Sequence, residues 1–562
     1  MADAAAASVE SACTAFLAAT SPHERTAAEN FLLEFRRHPQ PLPICRHLLL
    51  HSAVGYAKLQ ALCTVRECLG AQWAGLAPAE RAELQTLLQQ QAVAPVAAAE
   101  RYVSEAAAQV LAVHAKHDLL QAEGGGASAA AIDGLLSGSA QMLDDPSGAH
   151  AEAALRVLSA LLTEFGAPST GTVGGGLPWS MHARARAVFE ETYLAPLFRL
   201  GTQFLLRAAG GGQPLALTRC ASLLSNALSW EFGSIGEATA DGEPRPGLGA
   251  TVMRPPRSAT AAWSELLRTT QLLAAVVEMN GAQAASGVVL HGSSGGSGGD
   301  NSEMMHALQQ LLVSLASVSH RCFEPLDAVH IEYSSRMLTA AAGMLAIAPA
   351  ANGAIEAPLM GDAAFMNGCV MVQRLIVCSG AEALFRLPME AIDGLLQLMH
   401  SASLHSLKTS LALQVAGDSD ELHGIPVGAV VDAHDVLLEA WVSLLCGSTS
   451  AAGGINARPP NLTEACSKVY ESCIQARLHA CSEEAAREAE EEVEDGGEDE
   501  ERERERLIAL ATLGRAKLPE AVQLLLSPLQ SCTAKLRSYC ELVAQGGAAA
   551  AAQAGASPAA LA

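Results

Sequence analysis

The chain has 562 residues, half of them hydrophobic but only 4% aromatic, and a formal net charge of −24 from 59 acidic against 35 basic residues. That length exceeds one ordinary core and suits several domains or one long repeat array. The charge argues against binding to nucleic-acid phosphates or anionic membranes and favours basic protein partners.

Alanine and leucine supply most of the apolar surface, and the β-branched and aromatic runs that mark strands are scarce, so the expected class is all-α. The 14 cysteines are scattered without a CxxC pair, which points to free thiols in a reducing compartment. The start, "MADAAAASVESACTAF", lacks the basic and apolar regions of a signal peptide, and no run of about 18 apolar residues marks a membrane span. A soluble, intracellular chain is expected.

The first clear amphipathic stretch places Phe31, Leu32 and Phe35 on one face, with Ala27 and Ala28 a turn earlier. Glu24, Arg25, Glu34, Arg36 and Arg37 cover the other face. Pro39, Pro41 and Pro43 end this helix, because each lacks an N–H donor and restricts the residue before it. Ile44, Leu48 and Leu49 open a second apolar stripe, and Tyr56, Leu59, Leu62, Val65 and Leu69 a third. Further helices are predicted near 79–92, 96–116, 148–165, 180–207, 214–231, 260–279, 302–319 and 327–348. The series continues near 361–379, 385–402, 428–446, 461–480 and 504–540. Paired, they form units of about 40 to 47 residues, the period of HEAT-type helical hairpins. Neither helix of such a hairpin buries its stripe alone, and the next hairpin supplies the missing half of the core. The predicted fold is a HEAT-type helical-hairpin solenoid, a right-handed, armadillo-like α-α superhelix.

Stretches rich in glycine, at 123–131, 171–178, 236–250 and 291–300, read as loops between repeats. From Glu483 to Arg506 the chain carries 14 acidic and 4 basic residues, a net −10. Such a block reads as a solvated, disordered loop, with engagement of a basic cargo as the sharper alternative. The resulting organisation is 1–120, N-terminal repeats; 121–480, a helical solenoid with Gly-rich loops; 481–506, an acidic disordered insert; 507–545, further helices; and 546–562, a low-complexity tail.

No catalytic constellation emerges. "GSSGGSGG" matches the nucleophile-elbow spacing at Ser294 and Ser297, but that motif needs a strained turn between strand and helix, and a linker is the better reading. His114 and His117 sit three apart at the expected end of a helix without further metal ligands at suitable spacing, so a surface or helix-terminal role is expected. No phosphate-binding loop or H-E-x-x-H helix occurs, and no cofactor or metal is expected. Asn461-Leu462-Thr463 fits a glycosylation sequon that an intracellular chain would not use. Trp73, Trp179, Trp230, Trp263 and Trp441 fall in or beside apolar helices, where core packing is the default.

The stretch "AAENFLLEFRRHPQPLPICRHLLLHSAVGYAKLQALCTVRECLGAQWAGL" (27–76) resembles the N-terminal repeats of the importin-beta superfamily of nuclear transport receptors. Ala28, Glu29, Leu32, Phe35, Cys45, Leu48, Tyr56, Gln60, Ala61 and Trp73 occupy its pattern places. Exportin-like segments follow in order: "LSALLTEFG" (158–166), "RARAVFEETYLAPLF" (184–198), "SNALSWEFG" (225–233), "VLLEAWVSLL" (436–445), "KVYESCIQARLHA" (468–480) and "ERLIALATLGRAKLPEAVQLLLSPLQ" (505–530).

The resemblance implies a non-enzymatic receptor that binds Ran in its GTP form with protein cargo and shuttles between nucleus and cytoplasm through nuclear pore proteins. A hypusine-bearing translation factor stands among the implied cargoes. Superfamily members are longer, and the resemblance implies that this chain corresponds to their N-terminal half. It also implies that 1–120 faces Ran, with Tyr56, Gln60 and Trp73 as the candidate contacts. Hairpin packing is the competing role for Tyr56 and Trp73, and simple exposure for Gln60. The rival reading of the whole chain is a HEAT-repeat scaffold for a signalling or phosphatase complex.

Overall fold

The computed structural model describes residues 2–94, 100–122, 130–145, 148–166, 177–211, 213–232, 260–268, 270–285, 299–319, 322–323, 328–348, 357–416, 421–422, 425–447, 459–487 and 497–546. Most of the Gly-rich stretches and the tail after residue 546 lie outside them. The described chain falls into two compact units, the first made mainly of residues up to Arg245 and the second mainly of residues from Leu312 onward.

The first unit begins with α1 (Ala2–Ala18), α2 (Pro22–Arg36), α3 (Leu42–His51) and α4 (Gly55–Gln72). It continues through α5 (Pro78–Val93), α6 (Arg101–Ala122), α7 (Ala130–Asp144), α8 (Ala151–Gly166), α9 (Trp179–Thr192), α10 (Leu194–Ala208) and α11 (Pro214–Leu228). After these come α12 (Thr260–Arg268), α13 (Gln271–Ala285) and α14 (Gly299–Ala316). The second unit holds α15 (Ala328–Met344), α16 (Asp362–Ser379), α17 (Ala381–Leu384), α18 (Met389–Ala416), α19 (Val427–Gly447), α20 (Pro460–Arg487), α21 (Gly497–Gly514) and α22 (Leu518–Gly546). Strand pairing among the described residues is limited to two antiparallel ladders of two residues per strand: β1 (Ile347–Ala348) with β2 (Ala357–Pro358), and β3 (Glu421–Leu422) with β4 (Ile425–Pro426).

Local chemistry explains the helix boundaries. Ser21 caps α2 through a capping box with Glu24, and Pro22 sits in the first turn, where its missing N–H costs nothing. The chain breaks after Arg37, and α3 restarts just past Pro41, as the prolines predict. On α2 the buried side chains are Ala28, Leu32 and Phe35. Phe31 is exposed instead of joining that stripe. It lies about 100° from Leu32 around the helix, beyond the sector that α1 and α4 cover.

Within the first unit α3 packs on α4, α5 on α6, α7 on α8 and α10 on α11. These hairpins stack so that α4 meets α6, α6 meets α8 and α8 meets α11. The second unit repeats the arrangement, with α16 on α19 and α19 on α21 in one row, and α15, α18, α20 and α22 in the other. Each unit is therefore a run of stacked HEAT-type hairpins. Their starts at residues 42, 78, 130 and 194 lie 36, 52 and 64 residues apart, so the spacing departs from the expected 40 to 47. The differences reflect the connecting stretches and the additional helix α9 between α8 and α10.

Other elements also differ from expectation. The stretch 180–207, read as one helix, breaks at Tyr193 into α9 and α10. Residue spacing does not mark α7, because its four Gly and Ser positions and its alanines dilute the apolar stripe of Ile132, Leu135 and Leu143. The acidic block read as disordered is helical at both ends: α20 runs to Arg487 and α21 starts at Gly497, with 488–496 outside the described residues. Arg502 and Arg506 pin the start of α21 to α19, at 2.6 Å from Asp432 and Asp435 and at 2.5 Å from Asp435 respectively. These two arginines give α21 a place against α19 that net charge alone does not suggest.

Candidate protein-binding surface

The three residues singled out in the N-terminal repeats lie on α4 or just after it. Tyr56 is half-buried and stacks flat on Phe16 of α1, with ring centroids 5.4 Å apart. One turn on, Gln60 is buried and accepts a hydrogen bond from Arg36 Nη2 of α2 at 2.8 Å. Trp73 closes the helix in a short 3-10 turn, half-exposed, and donates from Nε1 to Gln121 Oε1 at 3.1 Å. The structure brings Tyr56 and Gln60 close along one helix and places Trp73 in a separate cluster.

That cluster is built from three helices. Arg81 of α5 lies 4.7 Å from the Trp73 ring centroid, a cation–π contact, and donates to the Trp73 carbonyl at 2.9 Å. Beneath the ring lie His114 and His117 of α6, at centroid distances of 5.0 and 5.2 Å. Both histidines are buried, which corrects the surface or helix-terminal role expected of them. The helix continues to Ala122, so neither sits at its end, and α4, α5 and α8 all pack on α6. Burial pushes the His117 imidazole down to about 4 and lowers His114 as well.

Between these histidines stands a residue that no sequence pattern marks. Lys116 is wholly buried and reaches across to α8, donating to Glu164 Oε1 at 2.9 Å and to the Glu164 carbonyl at 3.0 Å. Its ammonium lies 5.6 Å from the Phe165 ring centroid. Burial lowers its basicity, and the neighbouring Glu164 opposes that effect. A long charged side chain reads as surface in a sequence, and only the partner 48 positions away makes its burial tolerable.

A second polar seam joins α6, α8 and α11. Arg156 of α8 donates to Glu152 Oε1 at 2.8 Å and lies 3.5 Å from Glu105 Oε1 of α6. Arg219 of α11 pairs with the same two carboxylates, 3.1 Å from Glu152. Two acids and two bases thus tie three successive helices of one row together. At the next step, Arg186 donates to the terminal carbonyl of α8 at Gly166 (3.1 Å) and to Glu231 (2.6 Å), and packs 4.9 Å from the Trp230 centroid. Such capping satisfies carbonyls that a helix end leaves without partners.

Among the tryptophans, Trp230, Trp263 and Trp441 are core residues, whereas Trp179 is exposed. Asn461, the sequon asparagine, lies in the first turn of α20 with Nδ2 donating to Asp393 Oδ1 at 3.1 Å. Ser294 and Ser297 lie outside the described residues.

One arrangement invites a catalytic reading. In the second unit His434 Nδ1 lies 3.3 Å from Ser406 Oγ, and Nε2 lies 3.9 Å from Cys473 Sγ. Burial pushes the Cys473 thiol up to about 12 and the His434 imidazole down to about 4. A thiol held protonated beside a weakened base is the reverse of an activated nucleophile. The group instead joins α18, α19 and α20 as a polar contact within their packing. Among the described residues no group of three or more His, Cys, Asp or Glu side chains is placed to hold a metal ion, and no helix is long and apolar enough to cross a membrane.

The polar seams and the Trp73 cluster all fall within residues 1–231, and the family model named Exportin-4 matches residues 1–209. This N-terminal part of the chain is Exportin-4-like. The match takes in α1 to α10, including Tyr56, Gln60, Trp73 and the Lys116–Glu164 pair. Among solved structures, the chain is similar to one described as Kap95p binding that induces the switch loops of RanGDP to adopt the GTP-bound conformation. That similarity has 12% identity, covers 94% of this chain and 70% of that one, and has a TM-score of 0.29. It is also similar to importin beta crystallised in ammonium sulfate, at 12% identity, 85% and 69% coverage and a TM-score of 0.23. A third likeness is to the Pds5–Scc1 complex, at 9% identity, 91% and 97% coverage and a TM-score of 0.17. At such TM-scores nothing further rests on these three.

Proposed function

We propose that this chain acts as an Exportin-4-like nuclear transport receptor, binding Ran in its GTP form together with a protein cargo for export through the nuclear pore. The observation that carries this reading is the match of residues 1–209 to the Exportin-4 family model. Stacked hairpins with polar seams suit a protein that works by holding others, and a net charge of −24 favours basic partners. On this reading the chain has no catalytic step and needs no cofactor. It would move between nucleus and cytoplasm and engage nuclear pore proteins in passing.

The mechanism is linkage. Ran and cargo each select a packing of the hairpins that the other prefers, so each raises the affinity of the other by the same factor. Tyr56 and Trp73, both half-exposed, are the contacts assigned to Ran; Gln60, buried against Arg36, would set the position of α2 relative to α4. The test is a pull-down with Ran locked in its GTP or GDP state, with and without the hypusine-bearing translation factor. Retention of the GTP form, strengthened by cargo, is expected. Equal retention of both forms would overturn the reading in favour of a HEAT-repeat scaffold.

A further inference from the structure

Two histidines stand one turn apart on α3, away from the polar seams. His47 and His51 are an i, i+4 pair, so their side chains lie on one face of the helix. Their ring centroids are 4.8 Å apart and the planes are tilted by 55°, which is not a stacked pair. Ile44, Cys45, Leu48 and Leu49 take the buried side of the helix. The His47 side chain is 33% exposed and His51 is exposed, so both rings reach solvent.

Asp3 of α1 fixes the first ring. Its Oδ1 lies 3.0 Å from His47 Nδ1. A carboxylate there accepts the Nδ1–H, so the neutral imidazole keeps its lone pair on Nε2. A histidine held in this way by a carboxylate is oriented, and made more basic, as a metal ligand. Arg46, the neighbour in sequence, is drawn to α5, where it donates to Glu83 Oε2 at 2.8 Å. Two imidazoles at i, i+4 are the pair that zinc-binding helices present. With zinc–nitrogen bonds of about 2.0 to 2.1 Å, two rings sharing one ion have centroids about 5 Å apart, close to the separation here.

We propose that His47 and His51 bind a divalent transition-metal ion of the zinc class, with water in its other positions and Asp3 holding the His47 ring. Imidazole nitrogens suit zinc, copper and nickel, whereas magnesium and calcium demand oxygen ligands. Two protein ligands make a weaker site than the four of a structural zinc centre, and the fold does not depend on it. His51 ends α3 and Asp3 lies in the first turn of α1. The bound ion therefore closes the last turn of α3 and, through Asp3, ties it to α1.

Isothermal titration calorimetry of the full chain with zinc chloride alone, over about 1 µM to 1 mM, tests the site. Other histidines and the free thiols also take zinc, so the readout is a difference between chains. The native chain should bind one equivalent more than either His47→Ala or His51→Ala, with helical circular dichroism unchanged in both. Asp3→Asn should keep that equivalent and weaken it about tenfold. Magnesium chloride should give no such difference. Equal zinc uptake by the native chain and both alanine variants would mean an adventitious ion only and overturn the proposal. An equal difference with magnesium would overturn the assignment to imidazole, and unchanged affinity in Asp3→Asn would overturn the part given to the carboxylate.

Discussion

Arg156 Nη1 of α8 donates to the carbonyl of Ala92, 2.8 Å away and 64 residues earlier, in the last turn of α5. The same relationship recurs. Arg184 Nη2 reaches the Leu120 carbonyl at 3.4 Å and Arg207 Nη2 the Leu143 carbonyl at 3.2 Å, each again 64 residues back. In each case a guanidinium satisfies the open end of an earlier helix, where a cation also suits the helix dipole. Arg156 is the most deeply buried of the three and serves two carboxylates as well.

Replacing Arg156 with methionine should therefore leave the Ala92 carbonyl and two carboxylates short of partners. A loss of about 3 kcal/mol is expected, read as an earlier first transition in thermal unfolding. An unchanged profile would show that the seam contributes nothing.

The Lys116–Glu164 pair predicts a non-additive cycle. Lys116→Met alone strands Glu164 in the core and should cost about 3 to 5 kcal/mol. The double variant Lys116→Met with Glu164→Met removes both charges and should recover most of that loss. The measurement is the coupling free energy from unfolding of the two single variants and the double.

Of the two buried histidines of the Trp73 cluster, His117 sets a pH dependence. Burial depresses His117 to about 4, below its ordinary 6.5, so the unfolded chain binds the proton more readily. Its contribution to stability is complete above about pH 6.5 and is lost as pH falls toward 4, to a depth of about 3 kcal/mol. His117→Leu should flatten that part of the profile, followed by tryptophan fluorescence. His434, also pushed down to about 4, retains its share in the variant.

Close approach at the end of α19 supplies a steric test. A Cβ added at Gly447 would stand 2.9 Å from the Ala381 Cβ, which has no flexible end to move aside. Gly447→Ala should destabilise the second unit by about 1 to 3 kcal/mol. Ala381→Gly in the same chain should restore much of it, which thermal unfolding of the pair would reveal.

Much of the helical framework is readable from residue spacing. The prolines at 39, 41 and 43 separate α2 from α3, and the stripe of Leu62, Val65 and Leu69 is buried on α4. Amphipathic spacing reports which residues seek a core, because each stripe extends through adjacent turns. It does not report how wide a sector the neighbours cover, and Phe31 is exposed for that reason. The buried Lys116 and the 64-residue arginine bonds depend on partners brought close only by stacking, so neighbouring positions carry no trace of them. In the acidic block, net charge outweighs the four arginines among the glutamates. Two of them find aspartates on α19 that lie about 70 positions earlier. The assigned roles of Tyr56, Gln60 and Trp73 follow from the resemblance, and their surroundings add only that two of the three keep an open face.

The row-by-row stacking has a kinetic consequence. Each helix meets its hairpin partner and the neighbours before and after it, so most contacts close short loops and little chain entropy is spent per contact. Opening at one end of a row exposes the next hairpin without requiring the far hairpins to loosen, and amide protection should grade along each unit instead of switching on everywhere together. Hydrogen exchange would then record a melting front that travels through each row one hairpin at a time.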